Sequence, residues 1–162
     1  MRCYLLLVFV ISLVTFDPPA YASDKQNFSD LTLGETQALL ESADTTLAEL
    51  VDYYLKRIEK YDDKGSKINS VAQLNPNLQQ QIALLQNKLD DKQPLGTLFG
   101  AIVLLKDNID AKGMVNSAGS WLMREHQPKQ DAFVVARLLA EEAVILGILL
   151  KKYLLQPLPH LI

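Results

Sequence analysis

An α/β fold is expected, with helices leading into a mixed, mainly parallel sheet, and three observations carry that expectation. Ala101 to Leu105 is an uninterrupted apolar run, the pattern of a strand covered on both faces by helices. Ahead of it, apolar residues recur at three- and four-residue intervals behind helix-capping signals. Behind it, a further helical pattern opens at Asp131 and is followed by a second apolar run, Ala143 to Leu146. The order strand, helix, strand, loop, helix, strand favours parallel neighbours joined by right-handed crossovers.

The chain has 162 residues, enough for one domain with a core of its own. Its apolar fraction of 49%, charged fraction of 22% and net charge of -3 are those of an ordinary globular protein. Lys and Arg are scattered without a basic stripe, so no nucleic-acid partner is expected. Residues 1–22 combine Arg2, an apolar run from Tyr4 to Phe16 and the small-x-small pattern Ala20-Tyr21-Ala22, the signature of a secretory signal peptide. Cleavage after Ala22 is expected, giving a secreted or periplasmic chain that starts at Ser23. The apolar run is about 13 residues, short of the roughly 20 that span a bilayer, so no stable membrane anchor is expected. Cys3, the only cysteine, lies inside this segment, which leaves the mature chain without a disulfide or a thiolate metal site. His126 and His160 stand alone and read as surface histidines, so neither metal nor cofactor is expected.

The elements follow in order. Thr32-Leu33-Gly34-Glu35 has the Thr-x-x-Glu spacing of a capping box and predicts a short helix to about Ser42. Thr46-Leu47-Ala48-Glu49 repeats it. Behind that second box Leu47, Leu50, Val51, Tyr54, Leu55 and Ile58 make the clearest amphipathic stripe in the chain, with Asp52, Lys56, Arg57, Glu59 and Lys60 on the solvated side. The cluster Asp62-Asp63-Lys64-Gly65 ends this helix. Ile68 to Leu74 is a strand candidate, and Asn75-Pro76 predicts a cap with proline at the first helical position. That helix is expected to run to about Leu89, with Leu78, Ile82, Leu85 and Leu89 inward and Gln79, Gln80, Gln81 and Lys88 facing water. Asp131 is expected to cap a last helix whose Val134, Val135, Leu138 and Leu139 form an apolar stripe.

Lys106, directly after the buried run, is the candidate site residue. A lysine that closes a strand ordinarily snorkels its ammonium to water. The carboxyl ends of strands in α/β sheets are, however, where ligands bind. The loop that follows, from Asn108 to Ser120, is rich in glycine and small polar residues whose N–H groups and hydroxyls could approach a ligand. Burial there would depress the lysine and turn it into a base.

The run LFGAIVLLKDNIDAKGMVNSAGS resembles the start of the amidase signature family, serine hydrolases that use a Ser-Ser-Lys triad. Leu98, Gly100, Lys106-Asp107-Asn108-Ile109, Gly113 and Ala118-Gly119-Ser120 match the family's wording, with Asn116-Ser117 where Thr-Thr is common. The resemblance covers Leu31 to Gly147. It implies the N-terminal part of the amidase signature fold in residues 23–147, and it implies that Lys106 is the catalytic lysine. The intact enzyme would take a small amide or peptide amide and hydrolyse its C–N bond, with no cofactor. Ser117 and Ser120 match a structural loop of the family and not its triad.

The pattern departs after Gly147, where residues 148–162 form a divergent tail, expected to reflect a shifted frame or a truncation. Glu142 stands where a glycine is usual, in a left-handed conformation that costs a glutamate about 1 kcal/mol. The sequence contains no Ser-Ser and no Gly-Gly, so the family's serine region is not among these residues. Alone, the chain is expected to be inactive; the alternatives are a non-catalytic binding fragment or a relative of the amidase component of glutamyl-tRNA amidotransferase. An exported chain argues against that last alternative, whose work is cytoplasmic.

Overall fold

The computed structural model describes residues 27–150. The expected signal segment with Cys3, and residues 151–162 of the expected tail with His160, lie outside the described residues.

Both capping boxes form. Thr32 Oγ1 accepts from Glu35 N–H at 3.3 Å while Thr32 N–H donates back to the Glu35 carboxylate at 2.8 Å, opening α1 (Leu33–Glu41). Thr46 and Glu49 do the same at 3.2 and 2.9 Å, opening α2 (Leu47–Arg57). In each box the hydrogen bond from the threonine N–H holds the glutamate below its ordinary pKa. α2 buries Leu47, Leu50 and Val51 and continues as a π-helical turn, Ile58–Asp63. That widening brings Asp62 inward, where its carboxylate accepts from Ser70 N–H (2.8 Å), Ser70 hydroxyl (2.6 Å) and Val71 N–H (3.0 Å).

This clasp also corrects the expected strand. β1 is Val71–Leu74 and not Ile68 to Leu74, because Lys67 and Asn69 have positive φ (51° and 48°) and cannot extend. The Asn75-Pro76 cap is corrected as well. Asn75 instead bridges from a turn, accepting from Asn77 N–H at 2.9 Å and donating to Ile145 C=O at 2.9 Å, so α3 begins later, at Leu78–Asp90, with Asn77 at its cap. On α3, Gln81 and Lys88 do not face water. Gln81 donates to Ala143 C=O and accepts from Ile145 N–H, and Lys88 pairs with Glu142.

β2 (Ile102–Lys106), α4 (Phe133–Ala140) and β3 (Val144–Leu149) complete the sheet, in the order β1-β3-β2. β2 runs parallel to β3, from Ile102↔Val144 to Lys106↔Leu149, and β1 runs antiparallel to β3, from Val71↔Leu149 to Leu74↔Gly147. The sheet is therefore mixed. Gly147 is required at its centre, since a Cβ there would stand 2.2 Å from Gln73 O on β1. β3 is longer than the expected Ala143 to Leu146 and takes in Ile148 and Leu149, the first residues of the divergent tail.

Asp131 does not cap α4. Ala132 holds that position, and Asp131 instead accepts from Lys112 N–H at 2.7 Å. Of the expected stripe, Val135 is buried and Leu138 half-buried, while Val134 and Leu139 are exposed: a helix of this length packs one narrow line against the sheet.

Core residues divide between two faces. Phe28, Leu40, Leu47, Leu50, Val51, Leu78, Ile82, Phe99, Val144 and Leu146 join α1, α2 and α3 to one side. Leu105, Ala111, Met114, Val135, Ile145 and Ile148 form the cluster under α4. Strict alternation would place Ile145 and Ile148 on opposite faces. An irregularity opposite Val103 and Leu104, where Leu146 is passed over in the pairing, shifts the parity and puts both under α4.

Glu142 has the left-handed conformation expected of the missing glycine, with φ 66°. Its side chain compensates. One carboxylate oxygen pairs with Lys88 and the other accepts from Gly96 N–H at 2.8 Å, tying α3 and the approach to β2 to the start of β3.

Candidate active site

The site is the carboxyl end of β2. Lys106 ends the strand opposite Leu149, and its C=O accepts from Ile109 N–H at 2.9 Å in the turn that follows. The Lys106 side chain is exposed, so the burial expected to make it a base is not supplied by the described residues. Among those residues no hydrogen bond or ion pair reaches its amine.

Asp107, one residue on, is 6% exposed and organises the loop. Its carboxylate accepts from Ser117 N–H (2.9 Å), Ser117 hydroxyl (2.6 Å) and Gly119 N–H (2.9 Å). Its own N–H donates to Leu149 C=O at 3.0 Å, and its C=O accepts from Ala118 N–H at 2.9 Å. The loop can close so tightly because Ala118 and Gly119 are both left-handed (φ 49° and 74°). This corrects the expectation that the loop's N–H groups and hydroxyls are aimed at a ligand. The anion they hold is the protein's own carboxylate.

The rest of the loop is anchored in the same inward-facing way. Asn116 is buried and donates to Asp110, Val115 N–H donates to Gln73 on β1 at 3.0 Å, and Ala132 N–H donates to Asp110 C=O at 2.8 Å. Ser117 is consumed by Asp107, and Ser120 is half-buried with its N–H on Ser117 C=O at 2.8 Å. His126 is exposed. The sequence reading did not single out Asp107. Its signal was there, an aspartate closing an apolar strand about ten residues ahead of a Ser-x-Gly turn.

A family model described as Amidase matches residues 49–149. The chain belongs to the amidase family. Over 108 residues it is 36% identical to a glutamyl-tRNA(Gln) amidotransferase subunit of Protochlamydia amoebophila, which takes in 64% of this chain and 21% of that protein. The corresponding subunit from Bacillus velezensis is 33% identical over 119 residues, 73% of this chain and 24% of its own. Among solved structures, the peptide amidase of Stenotrophomonas maltophilia superposes with a TM-score of 0.72 at 33% identity, over 75% of this chain and 25% of that one. An amidase family protein of Bacillus anthracis gives 0.69 at 30%, over 75% and 24%. The chain thus spans about a quarter of the length of the relatives it matches.

Two clefts open on the described surface of this amidase-family chain. One, of about 380 Å³, lies between α2 and the edge of β2, against Tyr54, Ile58, Tyr61, Ile102 and Leu104. The other, of about 350 Å³, lies between α3 and α4. Lys106 lines neither of these two. Among those residues no helix is long and apolar enough to cross a membrane.

Proposed function

We propose that the chain contributes the lysine-bearing part of an amidase that hydrolyses the C–N bond of linear carboxamides, peptide amides included, with Lys106 as the base. The observation that carries this is the position of Lys106: an unpaired amine at the carboxyl end of β2, in a chain one-third identical to a peptide amidase over three-quarters of its length. In the reaction, neutral Lys106 takes a proton, through an intervening serine, from a serine hydroxyl. The oxygen freed in this way attacks the carboxamide carbon, the C–N bond breaks and the amine or ammonia leaves with the proton; water then hydrolyses the acyl-serine ester, releasing the acid and restoring the serine hydroxyl. Both serines, and the polypeptide that would desolvate Lys106, come from outside residues 27–150. The 162 residues contain no Ser-Ser and no Gly-Gly, so on this reading they supply neither serine and alone are expected to turn over no amide.

A chimera tests the proposal. Residues 49–149 replace the matching quarter of the Stenotrophomonas peptide amidase, and release of ammonia from a peptide amide is measured. Activity that falls on the order of 10⁴-fold or more with Lys106→Ala is expected. An active chimera indifferent to that change would remove Lys106 from the chemistry. Turnover by the 162-residue chain alone, lost in Lys106→Ala, would overturn its inactivity.

The curated relatives named above favour a second reading, a part of a glutamyl-tRNA(Gln) amidotransferase. Location separates the two. We propose export with cleavage after Ala22, on the strength of the apolar run and Ala20-Tyr21-Ala22. N-terminal sequencing that starts at Ser23 supports the amidase reading; a cytoplasmic chain retaining Met1 supports the amidotransferase.

A further inference from the structure

We propose that Asp107 is a positioning residue for Lys106: the clasp formed by Ser117 and Gly119 turns its carboxylate away from the neighbouring amine, so that the lysine leaves the sheet on a fixed stem with no anionic partner. The inference rests on Lys106 being the base.

The chemistry poses a problem that this geometry solves. A base must hold its lone pair free, and a carboxylate beside a lysine favours the ammonium form. Lys106 and Asp107 are adjacent in sequence, yet no ion pair joins them. Both carboxylate oxygens of Asp107 are taken by the loop, through two N–H groups and a hydroxyl at 2.6 to 2.9 Å. The residue is nine-tenths buried, while Lys106 is exposed. The carboxylate is thus enclosed by its own loop while the amine stands in solvent.

The same residue also fixes the stem. Lys106 is the last residue of β2, and a strand end beyond its ladder would fray. Asp107 prolongs the ladder by one bond to Leu149 C=O, and its C=O takes Ala118 N–H. Together with the Ile109 N–H to Lys106 C=O bond, the backbone is held on both sides of the lysine. An asparagine could not replace the carboxylate, because its NH₂ group would face the donors of Ser117 and Gly119. Ser117 is the adjustable member, since its hydroxyl makes the shortest contact and can be removed without changing any charge.

The experiment uses the 162-residue chain, acetylated to a trace level with acetic anhydride at one fixed pH, and reads the ratio of acetylation at Lys106 to that at Lys112 by mass spectrometry. Lys112 is an exposed lysine in the same loop and serves as the internal reference. Ser117→Ala leaves that carboxylate oxygen held by Gly119 N–H alone, and the loosened carboxylate turns toward the Lys106 ammonium, so the ratio falls about fivefold, the worth of one hydrogen bond. Ser117→Thr keeps the hydroxyl and keeps the ratio. In an Asp107→Asn background, Ser117→Ala has no further effect, because no carboxylate remains to be released. An unchanged ratio in Ser117→Ala, or an equal fall with and without Asp107, overturns the proposal. If the Asp107→Asn chain does not fold, the contrast between Ser117→Ala and Ser117→Thr decides alone. No turnover enters this measurement, so its failure leaves the base assignment of Lys106 standing, and failure of the chimera leaves this ratio interpretable.

Discussion

Asp62 and Asp107 are two copies of one device. Each is buried, and each accepts from the N–H and hydroxyl of a serine about eight to ten residues later and from one further N–H, with the hydroxyl bond at 2.6 Å in both. Their settings differ. Asp62 closes the turn that leads from α2 into β1, whereas Asp107 closes the loop that leaves β2. Because β1 is antiparallel and β2 parallel to β3, both clasps come to the same end of the sheet, on either side of the end of β3. Leu150 N–H donates to Ser70 C=O beside the first, and Asp107 N–H donates to Leu149 C=O beside the second. The comparison separates fold from site: the same carboxylate chemistry is a staple at Asp62 and, beside Lys106, is proposed above to orient the amine.

The largest effects should come from the carboxylates themselves. Asp62→Ala and Asp107→Ala each leave buried donors without an acceptor and should each lower stability by roughly 3 kcal/mol in urea unfolding. Only the Asp107 change should alter the acetylation of Lys106 relative to Lys112. A matching change from Asp62→Ala would dissolve the distinction between staple and orienting group.

Gly147→Ala attacks the geometry that brings the clasps together. The added methyl would meet Gln73 O, and β1 can admit it only by moving off β3. A loss of about 2 kcal/mol is expected, with faster amide exchange at Ser70 and Val71 than at Ser117 and Gly119 if the Asp62 clasp depends on β1.

Glu142 provides a third buried carboxylate for contrast. Glu142→Gly would relieve a left-handed conformation worth about 1 kcal/mol, but it would remove the partner of Lys88 and the acceptor of Gly96 N–H, worth about 2 kcal/mol. A net loss of about 1 kcal/mol follows. A gain in melting temperature would show that backbone strain outweighs those bonds.

The smallest effect belongs to an exposed carboxylate. Glu49 is held below the ordinary glutamate value of 4.5 by Thr46 N–H first and the Thr46 hydroxyl second. A depressed pKa contributes stability above the unfolded value that is lost as pH falls through the folded one. Glu49→Gln should therefore cost a few tenths of a kcal/mol above about pH 5 and progressively less as the pH falls below that, read from melting temperature against pH.

What the sequence determined by itself was local in origin. The two capping boxes, the inward stripe of α2 and the apolar run ending at Lys106 each depend on residues a few positions apart, which is the range over which propensity and capping act, whereas the left-handed conformation at Glu142 was legible only through the family resemblance. The motif around Lys106 likewise sufficed to place the chain in its family. Tertiary structure decided the rest. Asn75 and Asp131 carry capping side chains, yet Ile145 C=O and Lys112 N–H, brought near by folding, claimed them first. Gln81 and Lys88 sit where a helical wheel shows solvent, yet β3 and Glu142 cover that side. The loop after Lys106 has a composition suited to ligand contact, and its donors went to Asp107. The physical reason is common to all of these: a buried polar group must find a partner, and for partners far apart in the chain that choice is made by the packing of the sheet and not by the local run of residues.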